Sequence, residues 1–171
     1  MNVHWRQEWP QDDLSAAARE LLSRQSLTVV LKSLSDDFSV RLLHSGVGQA
    51  GGFWAGLAQP QQGFTREVLL CLDGKPVIWA RSLCAENSLF WRGLLDCGTQ
   101  PLGERLFDGS LGVTRTPIEY AAGVPLGVDD AAERYFQTAF AARRSVFVHG
   151  NGETLGLVEC FLPALKQYLP E

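Results

Sequence analysis

The residues in this chain best suited to chemistry are two arginines and a glutamate: Arg66, Arg81 and Glu159. The arginines flank Asp73-Gly74, a strong hairpin signal, because a type I′ turn needs positive φ at both central positions. Counting outward from that turn puts Leu72 opposite Lys75, Leu70 opposite Val77, Val68 opposite Trp79 and Arg66 opposite Arg81. Side chains alternate between faces, so Arg66, Val68, Leu70, Val77, Trp79 and Arg81 are expected on one apolar side of the ribbon. Two guanidiniums set against each other there repel and cannot shed their protons. An anion is therefore expected over them. A carboxylate-bearing ligand is one candidate, since the guanidinium fork matches a carboxylate bidentately. Three plainer readings stand beside it: the register slips, a carboxylate of the chain neutralises the pair, or a strand-end arginine reaches back to water.

Glu159 lies in the last predicted strand, on the same face as Leu155, Leu157 and Phe161. A carboxyl in that company is either paired or destabilised in its ionised form by burial. A destabilised carboxyl can act as a general acid or base near neutral pH. The paired alternative is specific. With Asn151-Gly152 as the turn, Arg144 lies directly opposite Glu159 and makes a plain cross-strand ion pair.

The elements that must position these groups follow from periodicity. A first helix holds Leu14, Ala17, Ala18, Leu21 and Leu22 on one face, with an aspartate (Asp12 or Asp13) as N-cap; Ser26 caps a second, with Leu27, Val30, Leu31 and Leu34 facing inward. Phe38 to Leu43 alternates as a strand. Residues 45–63 carry six glycines and the aromatic pair Phe53-Trp54, which reads either as a flap packing over something or as a mobile surface insertion. After the Asp73-Gly74 hairpin, Asn87 or Ser88 caps a helix with Leu89, Phe90, Leu94 and Leu95 inward, and a short helix follows Pro101. Val113 to Tyr120 reads as a strand in which Pro117 marks an edge or a bulge. Residues 121–128 read as a Gly/Pro turn and 129–142 as a helix, ahead of the Asn151-Gly152 hairpin. Hairpins outnumber helical stretches, so the fold class is α+β: an antiparallel sheet with helices packed on it, in one domain spanning residues 1–171.

Composition excludes several function classes. Of 171 residues, 46% are hydrophobic and 20% charged, as in ordinary globular proteins, and the net charge of −4 argues against a nucleic-acid binder. No apolar run is long enough to span a bilayer and no signal peptide is visible, so a cytoplasmic location without membrane insertion is expected. Cys71, Cys84, Cys97 and Cys160 show no CxxC spacing and are expected as structural thiols; no metal site is expected. Nothing calls for an obligate partner, and a monomer is expected.

Taken together, the chain resembles the chorismate lyase family. The pieces that carry the resemblance are Ser26-Leu27-Thr28, Arg66-Glu67-Val68-Leu69-Leu70-Cys71 with Asp73-Gly74 and Ala80-Arg81-Ser82, Pro101-Leu102-Gly103 with Leu106-Phe107, Thr114-Arg115 with Ile118-Glu119, Arg143-Arg144-Ser145, and Glu159-Cys160-Phe161-Leu162-Pro163. They run in order from about Ser26 to Ala164. Residues 45–63 and 123–142 match poorly. The resemblance implies a six-stranded antiparallel sheet with helices on one side and an enclosed ligand cavity. It implies conversion of chorismate to 4-hydroxybenzoate and pyruvate, the entry step to the ubiquinone head group, without metal or organic cofactor. It further implies that Arg66 binds the ring carboxylate, that Arg81 is the second arginine of the pocket, that Leu27 and Leu102 contact ligand partly through backbone groups, and that Glu159 is the essential carboxylate. Effector domains of GntR-type regulators resemble the same fold and bind small aromatic carboxylates without catalysis. They normally follow a winged-helix domain, for which no basic recognition helix is seen here, so the enzyme is the favoured reading.

Overall fold

A computed structural model describes residues 3–10, 12–107, 109–126 and 138–171. In chain order its elements are α1 (Ala16–Leu22), α2 (Leu27–Leu34), β1 (Phe38–Gln49), a 3-10 turn (Gly52–Trp54), β2 (Gln62–Leu72), β3 (Lys75–Cys84), α3 (Leu89–Leu95), α4 (Leu102–Leu106), β4 (Val113–Arg115), β5 (Glu119–Pro125), β6 (Thr138–His149), β7 (Thr154–Phe161) and a closing 3-10 turn (Pro163–Tyr168). The strands form one antiparallel sheet in the order β1-β2-β3-β7-β6, with β4 and β5 paired in succession along the free side of β6. Pro117 lies between those two short strands. It has no N–H to give a ladder, and the strand expected over 113–120 is broken there, at the sheet edge where the proline is tolerated.

The first hairpin has the expected turn, with Asp73 at φ 51° and Gly74 at φ 74°, and Leu72 pairs with Lys75. One residue later the expected register fails. Pro76 pairs with Cys71, whereas Leu70 pairs with Ile78, so Val77 is extruded as a bulge. The cause is Pro76, which cannot donate to β2. The Val77 carbonyl instead accepts from the Leu162 N–H at 2.9 Å. A one-residue slip exchanges faces. Arg66 is therefore opposite Ser82, and Arg81 is opposite Glu67. The two arginines do not share a side.

The second hairpin slips likewise. The His149 N–H bonds the Glu153 carbonyl at 3.0 Å and the Glu153 N–H bonds Asn151 Oδ1 at 2.8 Å, giving a longer, side-chain-closed loop in place of a two-residue turn. Thr154 then pairs with Val148, which puts Arg143, not Arg144, opposite Glu159. The helix expected over 129–142 is a strand in its last five residues: β6 begins at Thr138, and Ala141 and Ala142 are clasped between β5 and β7. Residues 129–137 lie outside the described residues. Ala121–Pro125, expected as a turn, pair with β6 as part of β5. A short apolar run fits helix and strand periodicity alike, and here pairing on both sides decides.

The two sheet faces are covered differently. The helices and the closing 3-10 turn lie over one face, packing Leu22, Leu27, Leu31 and Leu165 on Val68, Leu70, Ile78 and Phe161. The other face is covered by residues 50–61 and by Trp5 of the N-terminal segment. Phe53 and Trp54 are 3% and 5% exposed there. The aromatic pair of the Gly-rich segment is thus core, not a flap over a ligand. Gly156 makes this possible, because a Cβ at that position would lie 2.7 Å from the Trp54 ring. Smaller corrections concern caps and faces: Ser15, not an aspartate, caps α1, and α3 buries Trp91, Leu94 and Leu95 while Leu89 is exposed. All four cysteines are free, with Cys71, Cys84 and Cys160 buried and Cys97 only half-buried.

Candidate active site

A cavity opens between the helix-covered face of the sheet and the N-terminal ends of α2 and α4. Its floor is Val68, Leu70, Ala80 and Leu157, its walls include Leu27, Leu102 and Phe107, and its polar groups are Gln25, Thr28, Arg66, Ser82 and Glu159. The space it encloses, open solvent at the mouth included, is about 490 Å³. A largely apolar chamber with a few convergent polar groups is the usual form of a small-molecule site. The two helix ends abut closely: a Cβ on Gly103 would stand 3.1 Å from Thr28 Oγ1 and 3.2 Å from Ser26 Oγ.

Arg66 is 3% exposed, and among the described residues it has no carboxylate partner. Its Nη2 donates to the carbonyls of Gly98 and Gln100, each at 3.0 Å, which ties the α3–α4 connection over the strand. Its Nε has no hydrogen-bond partner among the described residues. Burial pulls the Arg66 guanidinium below its ordinary value, as expected for a cation withdrawn from water without a counterion. A buried, uncompensated charge is expensive, so the fold maintains this group at a cost that a bound anion would offset.

Glu159 sits across β3 from Arg66. Its Oε1 accepts from Arg143 Nε at 2.8 Å and lies 3.7 Å from Arg115 Nη2, while Oε2 makes no hydrogen bond among the described residues. Arg143 is anchored in turn, since its Nη groups donate to the carbonyls of Leu22, Arg24 and Gln25 in the α1–α2 connection. Arg115 donates through Nε to Ser145 Oγ at 2.8 Å and through Nη1 to the Gln25 carbonyl at 2.7 Å and to Gln25 Oε1 at 3.3 Å. Burial, with Arg143 nearby adding to it, lowers the Arg115 guanidinium to about 10, against the opposing pull of Glu159. Of the expected site residues, Leu27, Arg66, Leu102 and Glu159 line one cavity.

Arg81 does not line it. It faces the other side of the sheet, where Nε is 3.2 Å from Glu67 Oε1 and the Nη groups donate to the carbonyls of Gln49 and Ala50. The bulge at Val77 is the reason. Arg144 behaves alike on that face, pairing with Glu119 at 3.0 Å and donating to the Phe53 carbonyl at 2.8 Å. These two arginines hold the 50–61 segment onto the sheet. Replacing Arg81 with alanine is expected to destabilise the protein by about 3–5 kcal/mol, the cost of removing one partner of a buried ion pair. In chemical denaturation at 25 °C the midpoint should fall, while ligand affinity of the folded protein stays at the wild-type value. The sequence reading missed Arg115, Arg143 and Gln25. The Arg143-Arg144 pair was visible, but choosing between them needed the true register.

Residues 1–168 match the family described as chorismate lyase. The chain belongs to the chorismate lyase family. It is 33% identical over 167 residues to the probable chorismate pyruvate-lyase 1 of Burkholderia pseudomallei (strain 1710b), covering 93% of this chain and 89% of that protein. It is 33% identical over 178 aligned positions to the probable chorismate pyruvate-lyase of Shewanella loihica (strain ATCC BAA-1088 / PV-4), covering 98% and 92%. Against the probable chorismate pyruvate-lyase of Thiobacillus denitrificans (strain ATCC 25259 / T1) the identity is 37% over 162 residues, covering 85% and 81%. As a chorismate lyase family member the protein is a lyase, and the antiparallel sheet with helices on one face agrees with the α+β fold expected of it. Among the described residues, no helix is long and apolar enough to cross a membrane.

Proposed function

We propose that this protein is a chorismate pyruvate-lyase, releasing pyruvate from chorismate to leave 4-hydroxybenzoate, and that it supplies the first step of ubiquinone head-group synthesis in the cytoplasm, acting as a monomer. The observation that carries this reading is Arg66, a buried cation without a carboxylate partner among the described residues, at one end of an apolar cavity that Glu159 lines at the other. Arg66 is on β2 and Glu159 on β7, with β3 between them. Two strand spacings separate their backbones by roughly 10 Å across the sheet, which leaves room for a six-membered ring between the two side chains.

In the proposed reaction the ether bond between ring and enolpyruvyl oxygen breaks, and its electrons leave with the oxygen. The ring carbon bearing the hydroxyl loses its hydrogen as a proton and the ring becomes aromatic. The three-carbon fragment gains one proton at its methylene and ends as pyruvate. Arg66 holds the ring carboxylate, and Glu159 Oε2 accepts a hydrogen bond from the ring hydroxyl. Leu27 and Leu102 begin α2 and α4, and N–H groups of a first helical turn have no intrahelical partner to compete with a ligand. The apolar walls exclude water, which strengthens each of these contacts and leaves orientation as the main source of acceleration.

Purified protein incubated with chorismate is expected to yield 4-hydroxybenzoate and pyruvate in equal amounts, resolved by chromatography. Absence of both products, together with tight binding of 4-hydroxybenzoate, would replace the enzyme by a binding module of the regulator type.

A further inference from the structure

Charges on the two sheet faces are balanced differently. On the face covered by residues 50–61, two arginines meet two carboxylates: Arg81 with Glu67 and Arg144 with Glu119. On the cavity face three arginines, Arg66 and Arg143 buried whole and Arg115 buried in its side chain behind the residues that line the cavity, have Glu159 as their one carboxylate among the described residues. Among the described residues the cavity side is thus left with two cations in excess. Arg66 accounts for one. Arg143 makes the short bond to Glu159 and spends its remaining donors on backbone carbonyls. The other excess charge therefore resides on Arg115.

Arg115 is incompletely satisfied. Among the described residues its Nη2 has no hydrogen-bond partner, and it stands 3.7 Å from the carboxylate that Arg143 already holds. Its Nη1 meets the side chain of Gln25 at a long 3.3 Å. Gln25 is exposed and lines the cavity, and so does Phe107, over whose ring the Arg115 guanidinium lies at 5.5 Å. A neutral amide oxygen at the cavity mouth thus occupies a position on Arg115 that a carboxylate oxygen would fill with a stronger, charge-assisted bond.

We propose that Arg115 is the specificity-determining cation of the cavity, receiving the second, ether-linked carboxylate of a dianionic substrate in place of the Gln25 amide while Arg66 holds the first. This rests on the proposed function for the identity of the substrate. It assigns to Arg115 the part that sequence reading gave to Arg81. Two excess cations match two carboxylates, and after the ether breaks each product carries one, so separation of the products dissolves the match.

The test is binding of two ligands by calorimetry: 4-hydroxybenzoate, with one carboxylate, and 3-(carboxymethoxy)-4-hydroxybenzoate, which adds an ether-linked second one. Three proteins are compared: wild type, Gln25→Glu and Arg115→Lys. Gln25→Glu keeps every partner of Arg115 and supplies an internal carboxylate, so it reads the proposal without disturbing the fold. It should weaken the dicarboxylate by about tenfold or more and 4-hydroxybenzoate by less than about threefold, whereas Arg115→Lys, which keeps the charge, should retain a preference for the dicarboxylate. Equal losses for both ligands in Gln25→Glu, no loss for either, or a wild type that does not prefer the dicarboxylate would overturn the proposal. The two failures are separable. Turnover of chorismate with an unselective Gln25→Glu refutes Arg115 alone, while selective binding without turnover refutes the lyase reading alone.

Discussion

Replacing Arg66 with alanine is expected to lower kcat/KM toward chorismate by about 10²–10³-fold and to leave the protein at least as stable as wild type. The two halves of this result have one cause. Arg66 is 3% exposed and has no carboxylate partner among the described residues, so the folded protein bears the cost of a desolvated charge with only two backbone carbonyls in return. Removing it forfeits those two bonds and relieves that cost. In the complex the same guanidinium meets the ring carboxylate in a dry site, where losing one partner of a charge pair costs about 2–5 kcal/mol, or roughly 30- to 4,000-fold, a range whose middle is the expected loss. Thermal unfolding and steady-state kinetics on one preparation check both halves. A variant with full turnover, or one that melts well below wild type, would show that Arg66 is structural.

Glu159→Ala is expected to fail in the opposite way, losing stability and activity together. Among the described residues Glu159 is the one carboxylate between Arg143 and Arg115, so its removal leaves two buried guanidiniums facing each other without it. Breaking a buried pair by deleting one partner costs about 3–5 kcal/mol. For a chain of this size that corresponds to a fall in melting temperature of roughly 6–20 °C. Glu159→Gln keeps the shape and one acceptor oxygen, so it should recover part of the stability while remaining impaired in turnover. A Glu159→Ala protein that melts like wild type would show that the Arg143 contact carries little energy.

The sequence made some of this architecture legible and hid the rest for identifiable reasons. Alternation along single strands was readable: Leu155, Leu157, Glu159 and Phe161 share a face, and the positive-φ turn lies at Asp73-Gly74. Pairing between strands was not, because each hairpin carries one irregularity that a count from the turn cannot see. Pro76 extrudes Val77 in the first, and the Asn151 side chain lengthens the loop in the second. Each slip of one residue swaps an arginine for its neighbour or turns it to the other face, so Arg81 was placed in the cavity and Arg144 opposite Glu159. Phe53-Trp54 drew attention as a flap or a mobile insertion, and its burial, with Trp54 seated against Gly156, shows it to be core. Resemblance to the chorismate lyase family brought Leu27, Arg66, Leu102 and Glu159 together, and those four line one cavity. Arg115 and Gln25 escaped because their relevance is a matter of unspent donors, which no spacing records.

The central claim is that catalysis takes place in the cavity on the helix-covered face, between Arg66 and Glu159. A crystal structure with 4-hydroxybenzoate bound tests it most directly. The account predicts the carboxylate of the ligand on Arg66 and its hydroxyl within hydrogen-bond distance of Glu159. A ligand held instead by Arg81 beneath residues 50–61, or one whose carboxylate avoids Arg66, would contradict it.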